Sequence, residues 1–264
     1  MLQLMRKAIG TDELQFEDIT VANIRKVKQY LVSEKSNGTA VTYMAIIKAT
    51  IRQLEEDGLI QHRNYGQDIR VKKVDTENVV LTEEEFGRIV SYYHELQKKK
   101  GHQPEKDVLT LFLVESLTGA RQGDTELLTA ENIRDGHLAY VSQKTKRKAV
   151  MPAHTMLAGL LENMPEKRYS TATKDRTIKR VARKCGITDV VAIRYRGKFQ
   201  SIPKWKCIGT HSARRYLATT LDSHGTPIAE ISRFMGHKSA EMTMRYIVPS
   251  VCQASEAAMS FFNG

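Results

Sequence analysis

Apolar side chains recur along this chain at helical spacing in some stretches and alternate in others, and the changes of period mark its organisation. From Val21 to Lys35 the residues Ile24, Val27, Leu31 and Val32 fall three or four apart, as on one face of a helix. Thr20, just ahead, carries the short hydroxyl side chain that caps a helix start. Ser36-Asn37-Gly38 breaks the pattern, which resumes from Thr39 to about Asp57 with Val41, Met44, Ala45, Ile47, Ile51 and Leu54. Gly58 stands where a C-terminal cap belongs. Two amphipathic helices joined by a short polar turn predict a small helical domain over residues 1–74, completed by short flanking helices. Residues 1–19 show no strong pattern. Residues 66–81 are polar and aperiodic, which predicts extended chain, with 75–81 as the linker between domains.

A second domain is predicted over 82–249. Thr82 followed by Glu83, Glu84 and Glu85 predicts an N-cap with acids in the first turn, where the helix dipole favours them, and a helix to about Lys100. KKKGHQPEK predicts a loop. Val108 to Leu117 is apolar on every face and predicts a buried helix. His137–Val141 and Lys148–Pro152 alternate like strands around Ser142–Arg147, the pattern of a β-hairpin. Thr173–Lys184 predicts a basic helix, and 190–207 is rich in Arg, Lys and aromatic residues without a clear period. Thr210 is a candidate cap for a helix over His211–Ser223. Pro227 opens a further helix that Gly236 stops. The predicted class is therefore mainly α (α+β), helical throughout apart from a small antiparallel hairpin or sheet. Residues 250–264, with Val251, Ala254, Ala257, Ala258, Phe261 and Phe262, form an apolar, helix-like tail that has little core of its own to join.

Composition adds a probable partner class rather than a fold. The 264 residues include 41 Lys and Arg against 30 Asp and Glu, a formal net charge of +11. Residues 1–80 hold 12 basic and 11 acidic side chains, leaving 29 and 19 for the remainder, so the excess lies in the second domain. A basic excess points toward a polyanion. Lys28, Lys35, Lys48 and Arg52 (with Arg63) could line a DNA-facing surface of the first domain. In the second, the hairpin tip with Lys144, Lys146, Arg147 and Lys148 could enter a nucleic-acid groove, and Arg194, Arg196 and Lys198 could contact backbone; each has solvated surface charge as its alternative. Cys185, Cys207 and Cys252 are far apart and odd in number, which suggests neither a disulfide framework nor a zinc site and makes a reducing cytoplasm the default. No apolar run approaches the roughly 18 residues that span a bilayer.

The candidate chemistry gathers in Gly209–Pro249. His211 and Arg214, three residues apart on one predicted helix, would be neighbours, and a cation beside an imidazole near a helix N-terminus makes an anion site. Gly236-His237-Lys238 and then Tyr246 follow. Upstream, Arg121 comes directly after the buried helix and a Gly turn, with Asp124 placed to orient it by a charge-assisted hydrogen bond. Taken singly, each has a plain structural reading: Tyr246 a packed aromatic, His237 a cap residue, His211 a buried histidine, Arg121 half of an Arg–Asp pair.

Taken in order, TGARQGD around Arg121, SQKT around Lys144, THSARR around His211 and Arg214, and MGHKS with RY around His237 and Tyr246 resemble the catalytic set of the tyrosine recombinases, the phage-integrase family. THSARRYLAT with the basic aromatic segment before it is similar to integrases of bacterial conjugative and mobilisable elements. The resemblance covers nearly the whole chain and implies a helical core-DNA-binding domain followed by a mixed catalytic domain. Gly123 departs from the serine many members carry after the first arginine. Larger element-borne members have an additional arm-binding domain ahead of the core-binding helices, and the sequence given leaves open whether one precedes it here.

What the resemblance implies chemically suits these residue types. Two arginines, Arg121 and Arg214, can fork onto the anionic oxygens of a phosphodiester. Tyr246 would be the nucleophile, His211 its proton acceptor, and His237 a hydrogen-bond partner of the phosphoryl oxygen. Lys144, at the family's lysine position, would protonate the departing 5′ oxygen, with Lys146 as the alternative. The product would be a covalent 3′-phosphotyrosine, made without metal or cofactor and reversible by another strand's hydroxyl. The implied partners are double-stranded DNA, a homo-tetramer formed through exchange of the tail at 250–264, and accessory DNA-bending proteins, in a nucleoid-associated bacterial setting without a membrane. Two other readings remain: a type IB topoisomerase-like relaxing enzyme, which such a tail argues against, and a non-catalytic DNA-binding protein, which has no need of Tyr246.

Overall fold

The chain's first apolar pattern folds as three helices. A computed structural model describes residues 1–72, 78–195 and 198–248, apart from the side chains of Gln67, Arg194, Tyr195 and Lys198. Helices α1 (Leu2–Ile9), α2 (Val21–Glu34) and α3 (Asn37–Glu56) enclose a core of Met5, Ile24, Val27, Leu31, Ala40, Met44, Ile47 and Ile51, joined by Ile19, Tyr65 and Ile69. Thr20 caps α2 by accepting from the Asn23 amide, and Ser36 caps α3 by accepting from the Thr39 amide. The expected break at 36–38 is therefore shorter, because Asn37 and Gly38 already belong to the first turn of α3. Helix α1 was not legible in the sequence: at eight residues it buries only Met5, too little to show a period. The expected extended stretch from residue 66 instead begins with a 3-10 turn over Gly66–Ile69. That turn carries Ile69 into the core, next to Tyr65, whose hydroxyl donates to the Ile19 carbonyl at 3.2 Å.

The second unit is built around one helix. α4 (Glu83–Gln97) starts at a capping box in which Thr82 and Glu85 satisfy each other's amides. α5 (Gln103–Thr118) begins earlier than the apolar run, with Pro104 in its first turn, so QPEK is helix rather than loop. Every residue of α5 from Asp107 to Thr118 is buried, because α4 and three later helices, over Leu157–Glu162, Thr171–Lys184 and Thr210–Ser223, surround it. This is why no polar face shows in its sequence. After α6 (Gln122–Thr125) come β1 (Ile133–Arg134), β2 (His137–Val141) and β3 (Lys148–Pro152), an antiparallel sheet in that order. Leu138 pairs with Met151 and Tyr140 with Ala149, all four buried, so one face of the hairpin seals the core. α7 (Leu157–Glu162) and α8 (Thr171–Lys184, capped by Ser170) follow. Residues 190–207, unassigned by pattern, hold β4 (Val190–Tyr195), β5 (Lys198–Pro203) and a 3-10 turn over Lys204–Cys207. α9 (Thr210–Ser223), α10 (Ile228–Phe234) and α11 (Ala240–Met244) complete the described chain. The architecture is mainly α with two small antiparallel sheets.

The described residues fall into two compact units, 1–72 with 192–195 and 198–201, and 78–191 with 202–248. Residues 78–81, expected as linker, belong to the second unit: Leu81 is buried in its core and Val79 and Val80 pack against it. Residues 75–77 and the tail at 250–264, Cys252 included, lie outside the described residues. Cys185 and Cys207 are free and half-buried. Among the described residues no helix is long and apolar enough to cross a membrane.

One buried ion pair holds the start of the second unit to the turn just before α9. Lys204 Nζ donates to Glu85 Oε2 at 2.6 Å, and the same oxygen accepts from the Thr82 amide at 2.8 Å. Removing one partner strands a charge with 11% or less of its side chain exposed. Lys204→Met should therefore cost about 3 kcal/mol in urea-unfolding experiments. The double variant with Glu85→Gln should recover part of that loss; equal stability of both variants and the parent would show that the pair contributes nothing.

Candidate active site

α5 and α9 approach closely enough that the first residue after α5 must be glycine. Gly119 has φ +60°, and a Cβ there would meet Leu217 Cδ2 of α9 at 2.8 Å and Met235 Cγ at 3.3 Å. Its carbonyl accepts a hydrogen bond from Arg214 Nη1. Ala120, fully buried, then anchors the chain so that Arg121 emerges half-buried at the start of α6.

Arg214 is the centre of the arrangement. It is only 3% exposed, and the hydrogen-bond partners of its guanidinium among the described residues are a backbone carbonyl and a histidine rather than a carboxylate. Its Nη2 lies 2.7 Å from His237 Nε2, its guanidinium carbon sits 5.2 Å from the centre of the Tyr246 ring, and its Nε is buried without an acceptor. The His237 and Tyr246 rings stack at 5.2 Å. Burial lowers the Arg214 pKa from its usual value, Tyr246 opposes that, and Arg121 adds to it. Burial also pushes His237 down to about 4, with Arg214 and then Arg121 contributing, so its imidazole is neutral at physiological pH. The expectation that His237 offers a hydrogen bond to a phosphoryl oxygen meets a different geometry here, since its Nε2 faces a guanidinium that can only donate.

The β2–β3 hairpin is clipped onto this centre. Arg121 Nη1 donates to Ser142 Oγ at 3.0 Å, and Ser142 Oγ donates to Asp124 Oδ2 at 2.8 Å, while Asp124 Oδ1 accepts from the Gln143 amide at 2.8 Å. Asp124 thus orients Arg121 through a serine rather than by the direct bond the sequence suggested. Thr145 Oγ1 donates to the Gly236 carbonyl at 3.0 Å and Arg147 Nη1 to the His237 carbonyl at 3.4 Å. Lys144 lies between these two clips, exposed, and Lys146 occupies a left-handed position at φ +54°. Ser142 and Thr145 stood in the SQKT segment without a role of their own; small hydroxyl residues give no signal until their partners are placed.

His211 departs from expectation in exposure. Although neighbouring on α9, Arg214 turns into the core while His211 stays exposed and makes no side-chain hydrogen bond among the described residues. Crowding by protein lowers its pKa, with Arg215 and then Arg214 adding to the effect and Asp175 opposing it. The helix start is also occupied: the N-cap is Gly209, not Thr210, and the Thr210 amide donates to Asp175 Oδ1 at 2.9 Å. A Cβ at Gly209 would lie 2.8 Å from that carboxylate oxygen, so a larger residue there would have to displace Asp175.

Beneath the centre, Glu115 of α5 is 3% exposed and its Oε1 has no hydrogen-bond partner. Desolvation raises its pKa to about 8, against the opposing charges of Lys174 and then Arg214. Lys174, though 1% exposed, is paired with Glu126 at 2.5 Å. Among the described residues no group of His, Cys, Asp and Glu is arranged to hold a metal ion.

The residues expected to touch DNA are distributed unevenly. In the first unit, Lys28 and Lys48 line an open cavity of ≈ 740 Å³ that also takes in Arg70 and Lys72, two cations the sequence reading did not select. Lys35 is half-buried at the end of α2, and Arg52 is exposed but bonded to Glu56 at 2.9 Å. Lys146, Arg147 and Lys148 are exposed on the hairpin, with Arg147 also engaged at His237. Arg196 lies outside the described residues, as do the side chains of Arg194 and Lys198.

Comparison with known proteins places this geometry. Residues 79–251 match the phage integrase family, and residues 1–73 match the phage integrase SAM-like domain. No curated protein matches the chain by sequence. Among solved structures, a dimer of lambda integrase residues 75–356 bound to a COC' core site is 19% identical with a TM-score of 0.66, over 92% of this chain and 84% of that one. A lambda integrase tetramer bound to a Holliday junction gives 18% and 0.65, over 93% and 69%. The Tn1549 transposon integrase in complex with a circular intermediate DNA gives 14% and 0.65, over 98% and 91%. At these identities the likeness is one of fold.

Two outcomes follow from the buried groups. Between the ordinary carboxyl pKa of 4.5 and its folded value of about 8, Glu115 keeps a proton that the unfolded chain has lost, so it lowers stability as pH rises through that window. Glu115→Gln should therefore raise Tm at about pH 8.5 and have no such advantage at about pH 4; a gain independent of pH would refute the assignment. Gly119→Ala should cost about 2 kcal/mol or more, from left-handed strain and the contact with Leu217, measured by denaturant unfolding.

Proposed function

The chain belongs to the phage integrase family, and from that membership we propose that it is a site-specific DNA recombinase that cleaves and rejoins strands through Tyr246. The observation that carries this reading is the packing of Tyr246 and His237 against a buried Arg214 whose Nε lacks an acceptor among the described residues. A guanidinium held in this way, next to a second arginine that disfavours its charge, gains from an anion. A phosphodiester supplies one, with non-bridging oxygens for Arg121 and Arg214.

In the proposed step the Tyr246 oxygen attacks phosphorus and its proton passes to His211, kept neutral by its lowered pKa. The bond from phosphorus to the 5′ oxygen breaks, and that oxygen takes a proton from Lys144, or from Lys146. The strand is left joined to Tyr246 as a 3′-phosphotyrosine, and the 5′ hydroxyl of a partner strand reverses the step. His237 serves the phosphate through Arg214, whose Nη2 it holds. Asp124 supports Arg121 by way of Ser142. Lys28, Lys35, Lys48 and Arg52 in the first unit, with Lys148 and the 194–198 segment, contact DNA backbone. The tetramer of lambda integrase on a Holliday junction supports assembly of this chain as a homo-tetramer on double-stranded DNA. Exchange of residues 250–264 between subunits, accessory bending proteins and a nucleoid-associated cytoplasmic setting belong to the same proposal.

Tyr246→Phe should bind core-site DNA like the parent yet form no covalent complex on a nicked suicide substrate; a retained complex would remove Tyr246 from its role. Lys144→Ala should slow cleavage by about 10²-fold or more. A 5′-bridging phosphorothiolate, whose leaving group needs no proton, should restore it, and failure of that rescue would move the acid to Lys146 or elsewhere.

A further inference from the structure

A single file of hydrogen bonds runs from the site into α10, and both of its ends have fixed polarity. At the site end, Arg214 Nη2 can only donate, and it lies 2.7 Å from His237 Nε2. On the other side of the ring, His237 Nδ1 lies 2.9 Å from Thr243 Oγ1. Thr243 Oγ1 is 2.6 Å from Ser232 Oγ, and Ser232 Oγ is 2.8 Å from the Ile228 carbonyl, which can only accept. Arg214, His237, Thr243 and Ser232 are all buried, at 3%, 3%, 0% and 8% exposure, so water cannot readily substitute for a missing partner.

Counting protons from the far end gives one solution. Ser232 has a single hydroxyl proton, which goes to Ile228 O, so Thr243 must donate to Ser232. Thr243 has spent its own proton and can only accept from His237, which places a proton on Nδ1. Counting from the site gives the same answer, because a proton on Nε2 would face an arginine N–H at hydrogen-bond distance. The two ends agree without reference to each other.

We propose that Thr243 is a positioning residue that locks His237 in its Nδ1–H tautomer, so that Nε2 is a fixed acceptor holding the guanidinium of Arg214. This rests on the reading of Arg214 as a phosphate ligand only for its consequence in catalysis; the tautomer itself does not depend on that reading. The lock explains why a hydroxyl residue is buried three positions before Tyr246. A valine of similar shape would leave the Nδ1 proton without a partner and free the ring to take the other tautomer. Serine keeps the oxygen.

The test has a spectroscopic arm without DNA and a kinetic arm with it. Long-range proton–nitrogen spectra of the full chain labelled at histidine, with His237 assigned by signal loss in His237→Gln, should show a protonated Nδ1 and an unprotonated Nε2 near neutral pH. Thr243→Val should add or switch to the Nε2–H form, and Thr243→Ser should keep the parent pattern. On a nicked core-site substrate Thr243→Val should form covalent complex roughly tenfold or more slowly, the scale set by leaving a buried donor without its partner, with Thr243→Ser close to the parent. An Nε2–H tautomer in the parent overturns the proposal even if Thr243→Val fails to fold. So does an unchanged tautomer in a folded Thr243→Val, or cleavage by it at the parent rate. If the parent shows the Nδ1–H tautomer but no chain forms covalent complex, the proposed recombinase reading fails while the lock stands.

Discussion

The structure depends on burying the Arg214 guanidinium without giving it a carboxylate. A cation removed from water at the α5–α9 interface must find hydrogen-bond acceptors or lose stability. Here they are the Gly119 carbonyl and the His237 ring nitrogen, with the face of Tyr246 alongside. Each acceptor makes its own demand. Gly119 must be left-handed and lack a side chain, which lets α9 close onto α5. His237 must be neutral with its lone pair toward the arginine, which burial and two nearby guanidinium groups enforce. Glu115, whose Oε1 is buried without a hydrogen-bond partner among the described residues, has its pKa raised to about 8 and so is largely protonated at neutral pH, leaving it little charge to pair with Arg214. The result is a positive centre compensated by dipoles alone, and an added anion is the remaining way to compensate it fully.

The hairpin is the second consequence. Its turn touches the centre through Ser142, Thr145 and Arg147, so the backbone that carries the exposed Lys144 is tied to Arg121 and His237. Three bonds of ordinary strength, each about 1 kcal/mol net, fix the turn's backbone while its lysine side chains remain free to rotate. The alternation that seals Leu138, Tyr140, Ala149 and Met151 into the core sets the register of these clips. One slip of that register would carry Ser142 away from Asp124.

Much of this was legible as pattern. Helices α2, α3 and α4 follow from spacing and caps, and α9 and the β2–β3 hairpin from spacing, because each has one buried face and one solvated face. Helix α5 was legible for the opposite reason, as an unbroken apolar run. What escaped were elements with little pattern to show: α1, which buries one side chain, and β4–β5, whose basic and aromatic residues conceal the strand period. The motif residues Arg121, Arg214, His237 and Tyr246 announced themselves by type and order. Ser142 and Thr243, as closely tied to the centre as any of them, did not.

The sequence by itself determined which residue types are present, their order and the local face each occupies, since helical and strand periods are properties of neighbouring residues. Tertiary structure alone decided the partners. It turned Arg214 inward and left His211, three residues away, exposed; it routed Asp124 to Arg121 through a serine on another element; and it set the proton on His237. These outcomes depend on atoms brought together from distant positions to within about 3 Å, the range in which a hydrogen bond has direction. No local period encodes that distance.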